Sequence, residues 1–214
     1  MGDPRVKAAT KVFFDLLVFV VVLSTYWVYG FCYMKDFYLG PLRVDYEFAY
    51  DGMDAYVRCS YSEFENHFCS NSTSPAAEVC SHRDCFFAAG LTYVIISALS
   101  LVLLLYSLLH TLTYACVCTC WGLLSLSLLS YLYAPLYILS VLLYCVISGV
   151  FSLTPGEQWS SKYELEIGPG LALMFSGCFL SLLSFFYYVY AKRSGLTAFM
   201  DAVTESPELL KPTS

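Results

Sequence analysis

Residues 86–110 read FFAAGLTYVIISALSLVLLLYSLLH and residues 120–151 read CWGLLSLSLLSYLYAPLYILSVLLYCVISGVF, and neither stretch holds an Asp, Glu, Lys or Arg. Both lie within a run of 72 uncharged-or-histidine residues between Asp84 and Glu157. A helix crosses a hydrocarbon core of about 30 Å with roughly 20 apolar residues, so this run is too long for one span and suits two with a short turn. Working outward, residues 16–34 and 167–191 are equally free of Asp, Glu, Lys and Arg. Lipid offers no partner to an exposed N–H or C=O, so each stretch must be helical. The expectation is an all-α transmembrane four-helix bundle, with spans over 12–33, 86–110, 120–151 and 169–191. Pro135 should bend the third span, which is long enough to project beyond the bilayer.

Composition agrees. Of 214 residues, 58% are apolar and 13% charged, with a mean hydropathy of +0.64. Soluble domains run nearer one quarter charged. The chain is therefore not read as a water-soluble globule, a nucleic-acid binder or a disordered tail, and its first partner is the lipid bilayer. The net charge of −6 argues against a polybasic partner surface.

Basic residues set the orientation. Arg5, Lys7 and Lys11 precede the first span, and Lys192 and Arg193 follow the last. Such residues prefer the cytoplasm. Residues 1–11, 111–119 and 192–214 are then inside, while 34–85 and 152–168 are outside. A cleaved leader over residues 1–25 is the rival reading, but the apolar run continues to Phe31 without a clear small-x-small cleavage site.

The external segments are acidic and folded. Residues 34–85 carry nine Asp or Glu against Lys35, Arg43, Arg58 and Arg83. Val44–Cys59 is rich in Tyr, Phe and Val, with a turn at Asp51-Gly52, and reads as a hairpin or small extracellular β-sheet. Cys59, Cys69, Cys80 and Cys85 lie in this oxidising compartment. Four cysteines allow three pairings; Cys59–Cys69 with Cys80–Cys85 is the preferred one. Asn71-Ser72-Thr73 is an acceptor for N-glycosylation.

Inside, Cys116, Cys118 and Cys120 lack the CxxC spacing of a zinc site and are candidates for S-palmitoylation. No cofactor or metal is expected, and no catalytic residues. Asp15 reads as a first-turn residue of the first span, held by the helix N-terminus and headgroup water, and His110 as interfacial. An enzyme or transporter would need more ionisable groups at mid-depth.

The layout resembles the claudin family and its wider superfamily, including calcium-channel gamma-type subunits. The family's external signature is Gly-Leu-Trp, two residues, Cys, eight to ten residues, Cys. Here Tyr56 stands three residues before Cys59, and nine residues separate Cys59 from Cys69, although the Gly-Leu-Trp is missing. Arg83 before the second span, Pro135 in the third and Glu166-Ile167-Gly168-Pro169-Gly170-Leu171 at the fourth also agree. The tail departs: it ends Lys211-Pro212-Thr213-Ser214 rather than in a hydrophobic residue.

That resemblance implies adhesion, barrier formation or paracellular cation passage through self-association. The alternative is an auxiliary, gamma-like subunit that modifies the gating or trafficking of an ion channel or receptor. Asp45, Glu47, Asp51 and Asp54 would form either a cation-selective surface or a solvated acidic face that merely aids solubility; the first three share strand parity, and Asp54 joins them only if the turn resets the register. The expected location is the plasma membrane. Glu205, Leu209 and Leu210 match an acidic dileucine sorting pattern, which would send the chain to an endosomal or lysosome-like membrane.

Overall fold

A computed structural model describes residues 4–28, 30–34, 37–50, 53–69, 77–117, 127–150 and 165–205. The first helix, α1 (Pro4–Thr25), begins well before the expected residue 12 and stops short of residue 33. Pro4 suits a first helical turn, where its missing N–H would have no partner anyway. Beyond Thr25 the chain turns, and Gly30 takes a φ of 69°, a left-handed conformation that glycine adopts without strain. The basic residues before the apolar run therefore continue the helix rather than precede it.

Strands β1 (Cys32–Met34), β2 (Phe37–Leu39), β3 (Arg43–Tyr50) and β4 (Met53–Ser60) follow. β3 and β4 pair antiparallel with Tyr50 opposite Met53, so residues 51–52 are the two-residue connection of a hairpin. A fifth strand, β5 (Leu165–Ile167), comes from just before the last helix and pairs with β1. The sheet order is β4-β3-β2-β1-β5. The sheet is thus not confined to residues 34–85. Three residues are too few to show an alternating pattern, which is why β5 was not legible.

Helix α2 (Tyr61–Phe68) follows β4 and was not expected either. Ser60 caps it by accepting from the Glu63 N–H, and the Glu63 carboxylate accepts from the Ser60 N–H, a reciprocal capping box. These bonds from Ser60 hold the Glu63 carboxyl below the usual carboxylate range. Phe64 and Tyr61 are buried, and the Tyr61 hydroxyl donates to the Gly40 carbonyl at 2.9 Å.

This helix corrects the disulfide pairing. Its eight residues stand between Cys59 and Cys69, and Cys69 bonds Cys80 instead of Cys59. Cys59 and Cys85 are free thiols; Cys59 donates to the Val44 carbonyl at 3.4 Å across the hairpin. Desolvation by partial burial pushes its thiol pKa up. Non-reducing peptide mapping should recover Cys69 linked to Cys80. Replacing Cys69 and Cys80 by Ser should destabilise the sheet and α2 by about 2–3 kcal/mol, the loop-closure contribution for a bridge of this separation. A thermal melt unchanged by the replacement would count against that role.

Helices α3 (Ala77–Val117), α4 (Ser127–Ile147) and α5 (Pro169–Glu205) complete the chain. α3 overruns the expected 86–110 at both ends, and α5 overruns residue 191. Charges do not mark where a helix ends: Asp84 and Lys192 are simply helical residues. Two stretches, Val79–Leu109 and Pro169–Tyr190, are long and apolar enough to cross a membrane; the apolar part of α4, Leu132–Ile147, is shorter. α3 packs on α4, α1 on α5 and α3, and α4 on α5. Pro135 lies inside α4, where it removes one amide donor.

Tyr133, Tyr137 and Tyr144 occupy the buried stripe of α4, and Tyr93 of α3 faces them. The Tyr93 hydroxyl bonds Thr25 at 2.6 Å and lies 3.5 Å from the Tyr137 hydroxyl. Phe31, wholly buried, meets Tyr93 and Tyr144 edge-on at 5.5 and 5.3 Å between ring centroids. This aromatic contact ties the start of the sheet to α3 and α4.

Candidate functional site

The register settles which of the acids at 45, 47 and 54 share a face. Asp45 stands opposite Arg58, Glu47 opposite Tyr56, and Asp54 opposite Ala49. Directly opposed residues in an antiparallel ladder share a face, so positions 45, 47 and 54 fall together: the two-residue turn does reset the parity. Asp51 lies outside the described residues.

Charge at this face is not simply negative. Arg58 Nε donates to Asp45 Oδ1 at 2.9 Å, and Arg43 Nε lies 3.7 Å from Asp45 Oδ2. Asp45 is buried while Arg58 stays largely exposed. Arg43 also donates to the Trp27 carbonyl at 3.0 Å, so the same guanidinium ties the hairpin to the end of α1. The expected free carboxylate at 45 is therefore an ion-paired group inside the sheet. Asp45→Asn should lower the stability of the sheet by about 1–3 kcal/mol, since it removes the charge that two arginines share. A melting temperature equal to that of the parent would refute this.

A second ion pair holds Arg83 at the start of α3. It contacts Glu65 of α2, and donates to Asp84 at 2.6 Å. Together with the Cys69–Cys80 bond, this fixes α2 on α3.

Asp15 is placed differently from its sequence reading. Because α1 begins at Pro4, Asp15 is three turns into the helix and 0% exposed. Its partner is Lys11, one turn earlier on the same face and 3% exposed, which forms an ion pair with Oδ2. Three hydroxyls close round the carboxylate. Ser184 Oγ donates to Oδ1 at 2.7 Å, the Tyr133 hydroxyl to Oδ1 at 3.1 Å, and Ser107 Oγ reaches Oδ2 at 3.5 Å. The Lys11 ammonium also lies 5.5 Å from the ring centroids of Tyr133 and Tyr188. The signal was present in the sequence: a basic and an acidic residue four apart lie one above the other on a helix.

The remaining sequence candidates are not brought together with these. Asn71, Cys118, Cys120, Leu209 and Leu210 lie outside the described residues. Cys116 and Glu205 lie within α3 and α5. Among the described residues no group of three or more His, Cys, Asp or Glu is placed to hold a metal ion. No family model matches the chain, and no curated protein or solved structure matches it.

Proposed function

We propose that the chain is a four-span membrane protein of claudin-like architecture that acts in cell–cell adhesion or barrier formation, by self-association through its external sheet. The observation that carries this reading is the β1–β5 pairing. Strands after the first long helix and just before the last one meet in a single sheet at one end of the helices. Two separated segments build one surface, which suits recognition better than two tethers would.

Polarity supports the membrane part. Phe13, Leu16 and Val20 of α1, Ile95, Leu99 and Val102 of α3, Leu142 of α4, and Phe179 and Phe186 of α5 are exposed. Buried between the helices are Ser97, Ser100, Ser107, Ser140, Ser181 and Ser184. Large apolar side chains outside and small polar ones inside is the arrangement lipid favours, and water does not. It extends to α1 and α4, beyond the two stretches that qualify by length.

The auxiliary-subunit reading is the second, and the pairing of Asp45 favours it. An acidic strand face already neutralised by Arg58 and Arg43 attracts cations less than its sequence implies. The experiment is purification of the full chain in mild detergent after cross-linking on cells, followed by mass spectrometry. Self-association alone supports adhesion or barrier formation. A channel or receptor subunit in stoichiometric amount selects the second reading, and a monomer with neither defeats both. Topology is tested on the same cells. Glycosidase treatment should shift the intact chain and not an Asn71→Gln variant, and a C-terminal tag should be reached only after permeabilisation. At steady state the chain is expected at the plasma membrane; a rise in surface signal on Leu209→Ala/Leu210→Ala would reveal sorting toward endosomes.

A further inference from the structure

All four long helices send a polar group to Asp15: α1 through Lys11, α3 through Ser107, α4 through Tyr133 and α5 through Ser184. The rest of the buried stripe of α1 is poorly suited to fixing its depth. Val18 and Val22 are identical residues four apart, so a one-turn slip of about 5.4 Å exchanges one for the other. Thr25 reaches Tyr93 at 2.6 Å, but its hydroxyl also bonds the Val22 carbonyl of its own helix at 2.6 Å, a contact that moves with the helix. The carboxylate has no such freedom. A slip in either direction takes it away from all three hydroxyls at once; one turn along, α5 and α4 offer Ser181 and Tyr137, but α3 offers only the buried Leu104 in place of Ser107.

We propose that Asp15 is a register clasp: α1 seats at the depth where the three hydroxyls converge on its carboxylate. What the other helices read is the position of that carboxylate, and not merely the neutrality of the Lys11–Asp15 pair. The clasp rests on the membrane reading only for the severity of a slip; its geometry is that of helices packed on one another in any solvent. Buried polar groups of this kind set register in other helical assemblies, where a single polar contact excludes neighbouring alignments.

The test uses the full chain in native membranes. Phe14 of α1 and Tyr187 of α5 meet with ring centroids 5.7 Å apart, so cysteines at 14 and 187 report the native register. Pairing position 14 with 183 or with 191 reports a slip of one turn either way. In the parent background the 14–187 cross-link should exceed both others at least tenfold. The charge swap Lys11→Asp/Asp15→Lys keeps both charges but moves the carboxylate, and it should abolish that tenfold preference. Retention of the preference would overturn the proposal, because a neutral pair in either order would then suffice.

If the swapped chain does not accumulate, Tyr133→Phe/Ser184→Ala decides. It keeps the ion pair and removes both hydroxyls on Oδ1, and it should spread the cross-links over the three registers. An unchanged 14–187 preference in this variant would overturn the clasp, as would complete loss of the chain, since a device that only selects register leaves a foldable protein. Glycosylation at Asn71, read on the same samples, separates the two ideas: its failure with redistributed cross-links removes the topology and leaves the clasp.

Discussion

Gly90→Ala is expected to prevent the chain from accumulating in its native form. A Cβ placed on Gly90 of α3 would stand 1.6 Å from the carbonyl oxygen of Pro41, 2.4 Å from its carbonyl carbon and 2.7 Å from its Cα. These are backbone atoms, and a rotamer change cannot move them. The loop that holds Pro41 is itself fastened. The Gly40 N–H donates to the Arg43 carbonyl at 2.9 Å, and Tyr61 donates to the Gly40 carbonyl. One methyl group must therefore push α3 and the β2–β3 connection apart. Overpacking of flexible side chains costs about 1–3 kcal/mol, and a backbone collision should exceed that range. Fluorescence-detected size exclusion should show the variant aggregated or absent. A monodisperse peak with a parental melting temperature would show that the approach is looser than described.

Phe31→Ala should have the next largest effect, about 3–5 kcal/mol, as expected for emptying a wholly buried aromatic site. The ring touches Tyr93 and Tyr144, and it lies against Gly170 at the start of α5. A Cβ on Gly170 would come within 2.2 Å of that ring. Gly170→Ala is thus damaging in the parent chain and should be much less so once Phe31 is alanine, because the methyl then enters vacated space. The two changes should couple by about 0.5–3 kcal/mol, with the sign of a rescue. Strict additivity in thermal melts would mean that ring and glycine do not share the space.

The parts of the fold legible in the sequence were those written as patterns. Charge-free runs marked the apolar helices, and Asp51-Gly52 between Tyr- and Val-rich segments marked the hairpin. What was lost turned on four particular features. Treating charges as helix ends displaced the start of α1, and that misplacement put Asp15 in a first turn at the membrane surface instead of in the interior. Passing over the Ser60-x-x-Glu63 capping box hid α2, and without α2 the pairing of Cys59 with Cys69 looked natural. The close approaches at Gly90 and Gly170 leave no mark in a single sequence, because a glycine that must be small reads like any other. The ion pairing of Asp45 depends on strand register, and parity alone offers two registers.

The β1–β5 pairing also sets a clock for biosynthesis. β1 begins at Cys32 and its partner at Leu165, so 133 residues separate the two strands along the chain. At about 5–20 residues per second, translation fills that interval in roughly 7–27 s. Formation of the β3–β4 hairpin takes about 1–10 μs, so it can close long before its neighbour's partner exists. For that whole period the outer edge of β1 presents unpaired backbone groups to whatever surrounds the nascent chain. The β1 edge is covered only when the segment leading into the last helix has been made, and β5 then takes its place at the edge of the sheet. Ribosome pausing between residues 60 and 165 would lengthen this exposure, and a chaperone that shields strand edges would act on this protein within that window.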